Sequence, residues 1–263
     1  MSATILDTIA DAARVRVAAA KEAMPPAAME AAARRLPADT GFPFERALRT
    51  GSIAFLCECK KASPSKGLIA PDFPYLQIAR EYQAAGAAAI SVLTEPEWFM
   101  GSNEILKEIA AAVSVPCLRK DFTVDDYMVF EAKTLGAAAV LLICALHDAD
   151  TLRHRIALCD ELGLSALVEA HDEEEIAMAL AAGARIIGVN NRNLKDFTVD
   201  VRNSERLRKL VPPEVLFIAE SGIQTAADVE VLRQSGVNGV LIGETLMRAP
   251  DKKAMLAGLR GEA

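Results

Sequence analysis

The chain repeats one pattern four times: a helical segment, then Gly-Ala or Gly-Val, then an apolar run that ends in polar residues. The four runs begin at Gly86 (GAAAISVLTEP), Gly136 (GAAAVLLICAL), Gly183 (GARIIGVNNRN) and Gly236 (GVNGVLIGETL). Their spacing of roughly fifty residues fits two strand–helix units per interval better than a short solenoid repeat. This repeat constrains the fold more than any other feature of the sequence.

Four more strand-like runs lie outside the repeat, and they begin at Ile53, Val115, Ser165 and Val215. Helical patterns with apolar residues three and four apart fill the gaps between the eight runs. Strict alternation of strands and helices favours parallel strands joined by right-handed crossovers. We therefore predict an α/β fold, a closed (β/α)₈ TIM barrel. An open doubly wound sheet is the alternative, but no GxGxxG motif follows an early strand.

The first fifty residues differ from the rest. Ile5 to Glu22 has the pattern of an Ala-rich amphipathic helix, which Pro25-Pro26 interrupts, and a second helical run and FPFERALRT follow. A chain of 263 residues is long enough for one large core. We predict a single domain, 1–263, in which an N-terminal helical extension (1–50) packs on the barrel (51–263).

Charge and composition exclude several classes of partner. The net charge of −7 argues against a nucleic-acid or anionic-membrane surface. No apolar segment is long enough to span a membrane, and the first residues lack the apolar region of a signal peptide. Five cysteines in a large, core-rich chain do not indicate a disulfide framework. We expect a cytoplasmic protein with no nucleic-acid or membrane partner, as a monomer or weak homo-oligomer.

The cysteines and histidines do not indicate a metal site. Cys57 and Cys59 form an isolated CxC, which is a weak signal, and we expect both in the outer core layer. His147, His154 and His171 lack metal-ligand spacing, and a role in a loop or helix cap is expected for His171.

The first strand ends in charged residues. Glu58 and Lys60 share one face of the strand, because side chains alternate, while Cys57 and Cys59 share the other. A carboxylate and an ammonium at the mouth of a buried strand are costly unless they pair with each other or with a ligand. This segment therefore predicts the rim of a catalytic or binding site.

The other predicted strands also end in polar or small residues, and active sites of such barrels lie at these ends. The residues are Lys120 with Asp121, Glu169, Asn190 with Arg192, Glu220 with Ser221, and Gly243. Any one of them could be a merely solvated strand end, but the set predicts one pocket. Gly222 and Gly243 would let backbone N–H groups approach an anion, at the loops where this fold often binds phosphate.

Seven segments together resemble the indole-3-glycerol phosphate synthase family, in order along nearly the whole chain. They are ECKKASPSKG, SVLTEPEWFMGS, PCLRKDF, LVEAHD, GVNNRNL, AESGI and LIGETLM. ECKKASPSKG and the RKDF segment are the most specific, whereas AESGI and LIGETLM also fit other phosphate-binding barrels. The resemblance implies ring closure, decarboxylation and dehydration of 1-(2-carboxyphenylamino)-1-deoxyribulose 5-phosphate, a phosphorylated small molecule, without a metal or organic cofactor.

The resemblance also implies residue roles. Lys120 corresponds to the general acid of ring closure and Glu169 to the general base of dehydration. Lys60 corresponds to a lysine that pairs with substrate oxygens, and Glu58 to a carboxylate that holds the lysines. The remaining expected site residues are Asn190, Arg192 and Phe99 around the anthranilate ring and carboxylate, Ser221 as an active-site hydroxyl, Glu220 as a substrate-binding residue, and Ser63, Gly222, Gly243 and Glu244 as a phosphate cradle.

The chemistry itself calls for such groups. Attack of an aromatic carbon on a carbonyl needs a proton donor at the developing alkoxide. We expect a neighbouring cation and partial burial to lower the pKa of Lys120 towards neutrality. Two alternatives remain open: another phosphosugar barrel such as phosphoribosylanthranilate isomerase, which uses an Asp and a Cys, and a non-catalytic binding homologue.

Overall fold

The computed structural model describes residues 4–192 and 198–262. The outermost residues of the predicted extension and barrel (1–3 and 263) and the last two residues of the GVNNRNL segment (193 and 194) lie outside the described residues.

Eight parallel strands form a closed barrel, which confirms the predicted (β/α)₈ fold and makes the open-sheet alternative wrong. The barrel strands are β1 (Ala54–Cys59), β4 (Ala89–Leu93), β5 (Cys117–Lys120), β6 (Ala139–Ile143), β7 (Ser165–Ala170), β8 (Ile186–Asn190), β9 (Leu216–Glu220) and β10 (Gly239–Ile242). Each pairs with the next along the chain, and β10 closes the ring against β1. A small antiparallel hairpin, β2 (Ala62–Ser63) and β3 (Gly67–Leu68), follows β1.

Helices cover the barrel and extend it at the N-terminus. They are α1 (Ile5–Ala23), α2 (Pro26–Arg34), α3 (Pro43–Leu48), α4 (Tyr75–Ala84), α5 (Asn103–Ala112), α6 (Asp126–Thr134), α7 (Ala149–Glu161), α8 (Glu173–Ala181), α9 (Arg202–Arg208), α10 (Ala226–Gln234), α11 (Glu244–Arg248) and α12 (Lys252–Arg260). No helix in the described part of the chain is long and apolar enough to cross a membrane.

The glycines of the sequence repeat end helices. Gly86, Gly136, Gly183 and Gly236 follow α4, α6, α8 and α10, and their φ angles are 83°, 86°, 90° and 76°. This left-handed conformation is strained for residues with a Cβ, and it lets the chain leave a helix and turn into the next strand. The sequence repeat therefore corresponds to the turn from helix to strand in every second strand–helix unit of the barrel.

Side-chain alternation divides the core into two layers. Leu56, Leu118, Leu167 and Ile218 belong to a cluster inside the barrel. Their outward-facing neighbours, such as Phe55 and Val168, belong to the larger cluster between strands and helices. Cys57 and Cys59 lie in this outer cluster, as predicted.

The N-terminal extension contacts both ends of the barrel. At the end where the strands begin, Phe44 and Leu48 of α3 join the inner cluster, and Glu45 accepts a hydrogen bond (2.7 Å) from Arg185, just before β8. At the opposite end, both Nη atoms of Arg16 donate to the Asp121 carboxylate at 2.8 Å. The predicted helix Ile5–Glu22 is observed as Ile5–Ala23.

We propose that the extension 1–50 and the barrel 51–263 unfold as one unit, and Arg16→Ala tests this. The Asp121 side chain is fully buried, and the change removes its principal partner. Breaking a buried ion pair costs about 3–5 kcal/mol, and we expect about 3 because Thr94 and Arg119 remain near Asp121. Urea denaturation followed by circular dichroism measures the loss.

Arg14→Ala is the matched control, because Arg14 pairs with Asp11 on the exposed side of the same helix. We expect it to change the free energy of unfolding by less than about 0.5 kcal/mol. Equal effects of the two substitutions, or a separate transition for the helix, would contradict the proposal.

Candidate active site

The strands end at a cavity of about 600 Å³ at the C-terminal mouth of the barrel. All of the predicted site residues line it: Glu58, Lys60, Ser63, Phe99, Lys120, Glu169, Asn190, Arg192, Glu220, Ser221, Gly222, Gly243 and Glu244. The structure thus brings the predicted set together, while the roles assigned to the individual residues remain predictions.

A cluster of carboxylates and ammonium groups forms the floor of the cavity. Lys120 Nζ lies 3.1 Å from Glu169 Oε2 and 3.2 Å from Glu220 Oε2. Lys60 Nζ donates to Glu58 Oε1 at 2.5 Å. All three carboxylates are at least 95% buried. Burying so many charges is favourable only when each has a partner of opposite sign.

Strand geometry places these groups. All of them except Lys60 follow an inward-facing apolar residue by two positions, as in Leu118–Lys120, Leu167–Glu169 and Ile218–Glu220. Because side chains alternate, the charged residue continues the same inner face at the point where the apolar layer ends. The apolar layer and the charged floor are therefore two levels of one stack.

The pKa of Lys120 is raised, and the expectation that it would be lowered is wrong. Burial does lower it, but the carboxylates of Glu169, Glu220 and Glu58 together outweigh burial. The expectation rested on a neighbouring cation, whereas the nearest charges are carboxylates. Lys120 therefore carries its proton at neutral pH.

The two carboxylates that share Lys120 differ in acidity. Burial raises the pKa of Glu169, but Lys120, His171 and a hydrogen bond from Asn190 more than compensate and lower it. Burial dominates at Glu220, where repulsion from Glu169 and Glu58 adds to it and raises the pKa to about 7. Glu220 Oε1 also has no hydrogen-bond partner among the described residues. One carboxylate is thus ionised and the other is partly protonated near neutrality, as in sites that use both an acid and a base.

Two glycines make room for the carboxylates. A Cβ at Gly188 would overlap Glu220 Oε1, and a Cβ at Gly243 would overlap Glu58 Oε1. Sequence reasoning assigned Gly243 to phosphate binding and did not identify Gly188. The only sequence signal for Gly188 was a glycine inside a strand, which often marks a close approach.

Ser221 has a strained backbone, with a φ of 68°. Asn191 Nδ2 donates to Ser221 O at 3.1 Å, and Asn191 Oδ1 accepts from the backbone N–H and hydroxyl of Ser204. A non-glycine residue in this region persists only where its surroundings hold it, and such strain often marks functional sites. Sequence reasoning did not identify Asn191.

Several residues of the cavity lining are suited to an anion. Ser63 lies in the β2–β3 hairpin, and Gly222 and Gly243 lie in the loops after β9 and β10. Gly243 precedes the first turn of α11, whose N–H groups have no partners within the helix. The Glu244 carboxylate lies 3.6 Å from Lys66 Nζ and 3.1 Å from Arg248 Nε, and its side chain is about one-third exposed.

Apolar side chains also line the cavity. The rings of Phe99 and Phe122 lie 6.1 Å apart. Ile5, Leu6 and Ile9 of α1 also line the cavity. Sequence reasoning took this helix as packing only, because its apolar stripe looks the same whether it covers a core or a site.

Among residues 4–192 and 198–262, no group of three or more His, Cys, Asp or Glu side chains could hold a metal ion. The five cysteines are unpaired and buried, and burial raises the pKa of the Cys57 and Cys117 thiols to about 12.

Gly188→Ala tests the packing of the floor. The new methyl group displaces the Glu220 carboxylate, and a displacement of about 1 Å in a catalytic group can cost about a hundredfold in kcat. We expect a loss of that size with an unchanged circular dichroism spectrum. Gly258→Ala is the control, because the residue is helical and, apart from the adjoining helix backbone, a Cβ there would meet no described atom within 4 Å. Full activity of Gly188→Ala would show that the carboxylate position is unimportant.

Glu220→Gln tests the raised pKa through stability. Because the pKa rises from 4.5 to about 7 on folding, the folded protein binds more protons between these pH values, and stability falls as pH rises through this window. A neutral glutamine removes this loss. Relative to wild type, the variant should therefore gain in melting temperature at pH 8 more than at pH 5. Calorimetry measures this, with the exposed Glu214→Gln as control. An equal gain at both pH values would contradict the assignment.

Solved structures with low sequence identity share the barrel. Thiamine phosphate pyrophosphorylase from Pyrococcus furiosus superposes with a TM-score of 0.60 at 17% identity, over 81% of this chain and 96% of that one. KGPDC from Streptococcus mutans superposes with a TM-score of 0.62 at 11% identity, over 80% and 97%. At these identities the likeness concerns the fold alone.

Sequence comparison identifies the family. A family model for indole-3-glycerol phosphate synthase matches residues 6–259. A protein of that name from Ruminiclostridium cellulolyticum is 56% identical over 259 residues, which cover 98% of this chain and all of the relative. Another, from Lachnoclostridium phytofermentans, is 48% identical over 267 residues, which cover 97% and 98%. These matches confirm the resemblance found in the motifs, and the chain belongs to the indole-3-glycerol phosphate synthase family.

Proposed function

We propose that the protein closes the indole ring of 1-(2-carboxyphenylamino)-1-deoxyribulose 5-phosphate and releases CO₂ and water to form indole-3-glycerol phosphate. The observation that carries the proposal is the buried Lys120, which contacts Glu169 and Glu220 on the floor of a cavity lined by both apolar side chains and groups suited to an anion.

The lining of the cavity supports this substrate. The substrate combines an aromatic ring with a phosphate, and the lining combines the rings of Phe99 and Phe122 with the first turn of α11. Helix N-termini and glycine loops bind phosphate through backbone N–H groups. Arg192 and Asn190 line the wall, where a guanidinium and an amide can bind the anthranilate carboxylate and ring amine.

In the proposed ring closure, Lys120 is the general acid. As the aromatic carbon that bears the carboxylate attacks the ketone, the ammonium group transfers a proton to the carbonyl oxygen. Cleavage of the bond to the carboxylate then releases CO₂ and restores the aromatic ring. Because its pKa is raised, Lys120 is fully charged beforehand, so that it also stabilises the negative charge that develops on the oxygen. Glu58 positions Lys60 to bind substrate oxygens.

In the proposed dehydration, Glu169 is the general base. It removes a proton from the carbon next to the nitrogen, while the new hydroxyl takes a proton from the Lys60 ammonium group and leaves as water. A base must be ionised, and Lys120 and His171 keep the pKa of Glu169 low despite its burial. Glu220, whose pKa is about 7, can donate or accept a hydrogen bond to the substrate hydroxyls.

The cavity does not favour phosphoribosylanthranilate isomerase, which uses an aspartate and a cysteine. None of the five cysteines lines the cavity, and all are buried elsewhere. Asp121 lines the cavity, but its carboxylate is held by Arg16, Thr94 and the backbone N–H of Phe122. A non-catalytic homologue is disfavoured because the acid–base cluster is intact.

We further propose a cytoplasmic protein that acts as a monomer or weak homo-oligomer, without a nucleic-acid partner. Five unpaired cysteines fit a reducing compartment, and the net charge of −7 disfavours nucleic acid. Light scattering of the purified protein over a range of concentrations tests the oligomeric state.

An assay of indole fluorescence with the carboxyphenylamino substrate tests the function. Wild type should form product. Lys120→Met should reduce kcat at least about a hundredfold, because it removes both the proton and the charge. Lys107→Met, which changes an exposed lysine on α5, is the control. Binding of substrate by wild type without turnover would support the non-catalytic alternative, and a near-normal rate of Lys120→Met would remove Lys120 from the mechanism.

A further inference from the structure

His171 lies between Glu169 and a second carboxylate, Glu175. It follows β7 directly, and its backbone N–H donates to Glu175 Oε2 at 2.8 Å. Ring Nδ1 lies 3.0 Å from the same oxygen. Ring Nε2 lies 3.4 Å from Glu169 Oε1. The expected loop or cap role therefore describes only one side of this residue, because the other side of the ring faces the proposed general base.

The contacts leave the ring little freedom. Glu175 holds both the backbone N–H and Nδ1, and Asn203 Nδ2 donates to the His171 carbonyl at 3.2 Å. Nε2 is buried and has no hydrogen bond within the described residues. A rotation that moved Nε2 away from Glu169 would break the bond between Nδ1 and Glu175. The ring thus presents Nε2 to Glu169 Oε1.

Glu169 has few other partners. Lys120 contacts Oε2, and Asn190 makes a long hydrogen bond (3.4 Å) to Oε1. In the proposed mechanism Lys120 gives its proton to the substrate, and a neutral amine no longer stabilises a neighbouring carboxylate. The pKa of Glu169 would then rise just before it must act as a base. A cation at Oε1 that takes no part in the acid step avoids this loss.

His171 is suited to carry that charge. Burial lowers its pKa, but the hydrogen bond to Glu175 and the charges of Glu169, Glu175 and Glu220 raise it above the ordinary value of 6.5. The charged groups that face it are Glu169 on β7, Glu175 on α8 and Glu220 on β9. Asp172, Arg192 and Asp200 line a second cavity, which His171 also lines.

We propose that His171 is a positioning residue for the general base: its protonated ring holds Glu169 Oε1 in place and keeps Glu169 ionised while Lys120 acts as the acid. The inference rests on the proposed role of Glu169. It adds a residue outside the main cavity to the acid–base cluster.

The first test needs no substrate. The chain has three histidines, so the ring nitrogens of ¹⁵N-histidine-labelled protein can be assigned by single substitutions and titrated by NMR. We expect His171 to titrate above pH 6.5 in wild type and at lower pH in Glu169→Gln. The signals of His154, which pairs with Asp126 on the exterior, are the internal control and should not differ between the two proteins. An unchanged His171 midpoint in Glu169→Gln would overturn the proposal, whatever the protein catalyses.

The second test separates charge from orientation. Glutamine in His171→Gln keeps an N–H donor but carries no charge, so Glu169 should need higher pH to ionise. The acidic limb of the kcat profile should move up by about one pH unit, which is a tenfold loss on that limb. In His171→Ala the same shift should accompany a lower plateau, and added imidazole should restore part of the rate.

His154→Gln is the matched control and should leave the profile unchanged. A His171→Gln profile that superimposes on wild type would overturn the proposal. If wild type does not turn over the substrate, the proposed function fails, and the NMR titration still decides whether His171 and Glu169 are coupled.

Discussion

The structure depends on the burial of several charges at one end of an apolar barrel. Moving an ion out of water costs several kcal/mol even after the protein relaxes, so each charge here needs partners of opposite sign. Lys120 is shared by Glu169 and Glu220, and Lys60 pairs with Glu58, so the three carboxylates share two lysines and are one lysine short. The shortage explains why Glu220 is hard to ionise. The cluster therefore weakens the folded protein at high pH, and the apolar layer beneath it, with Leu118 and Leu167, must stabilise the fold instead.

The position of a residue along its strand determines whether it belongs to the apolar layer or to the proposed acid–base cluster. The inner face of β7 carries Leu167 and then Glu169, and both residues belong to one continuous strand. The carboxylates of Glu220 and Glu58 fit only because the residues that face them have no side chain. These residues are Gly188 in β8 and Gly243 after β10. The inner apolar layer is thus also the support that holds the acid and the base at fixed distances, because a packed interior transmits small displacements.

The sequence was sufficient to predict the eight strands and the polar residues at their ends, because period-two alternation and glycine turns are local properties. It was insufficient for relations between strands. The role of Gly188 depends on a side chain from β9, and that of Asn191 on a strained turn at Ser221. The pKa of Lys120 was predicted in the wrong direction for the same reason: the charges present were known, but not that two carboxylates lie within 3.2 Å of its nitrogen.

The N-terminal extension connects stability with the site. Arg16 on α1 binds the Asp121 carboxylate. Because Asp121 directly follows Lys120, this ion pair holds α1 next to the proposed general acid. The same helix places Ile5, Leu6 and Ile9 along the cavity. Because Asp121 is fully buried, the helix cannot leave without exposing or stranding that carboxylate. The apolar side chains that α1 contributes to the cavity are therefore held in place by an ion pair next to the Lys120 cluster, and loss of the pair weakens this wall of the cavity.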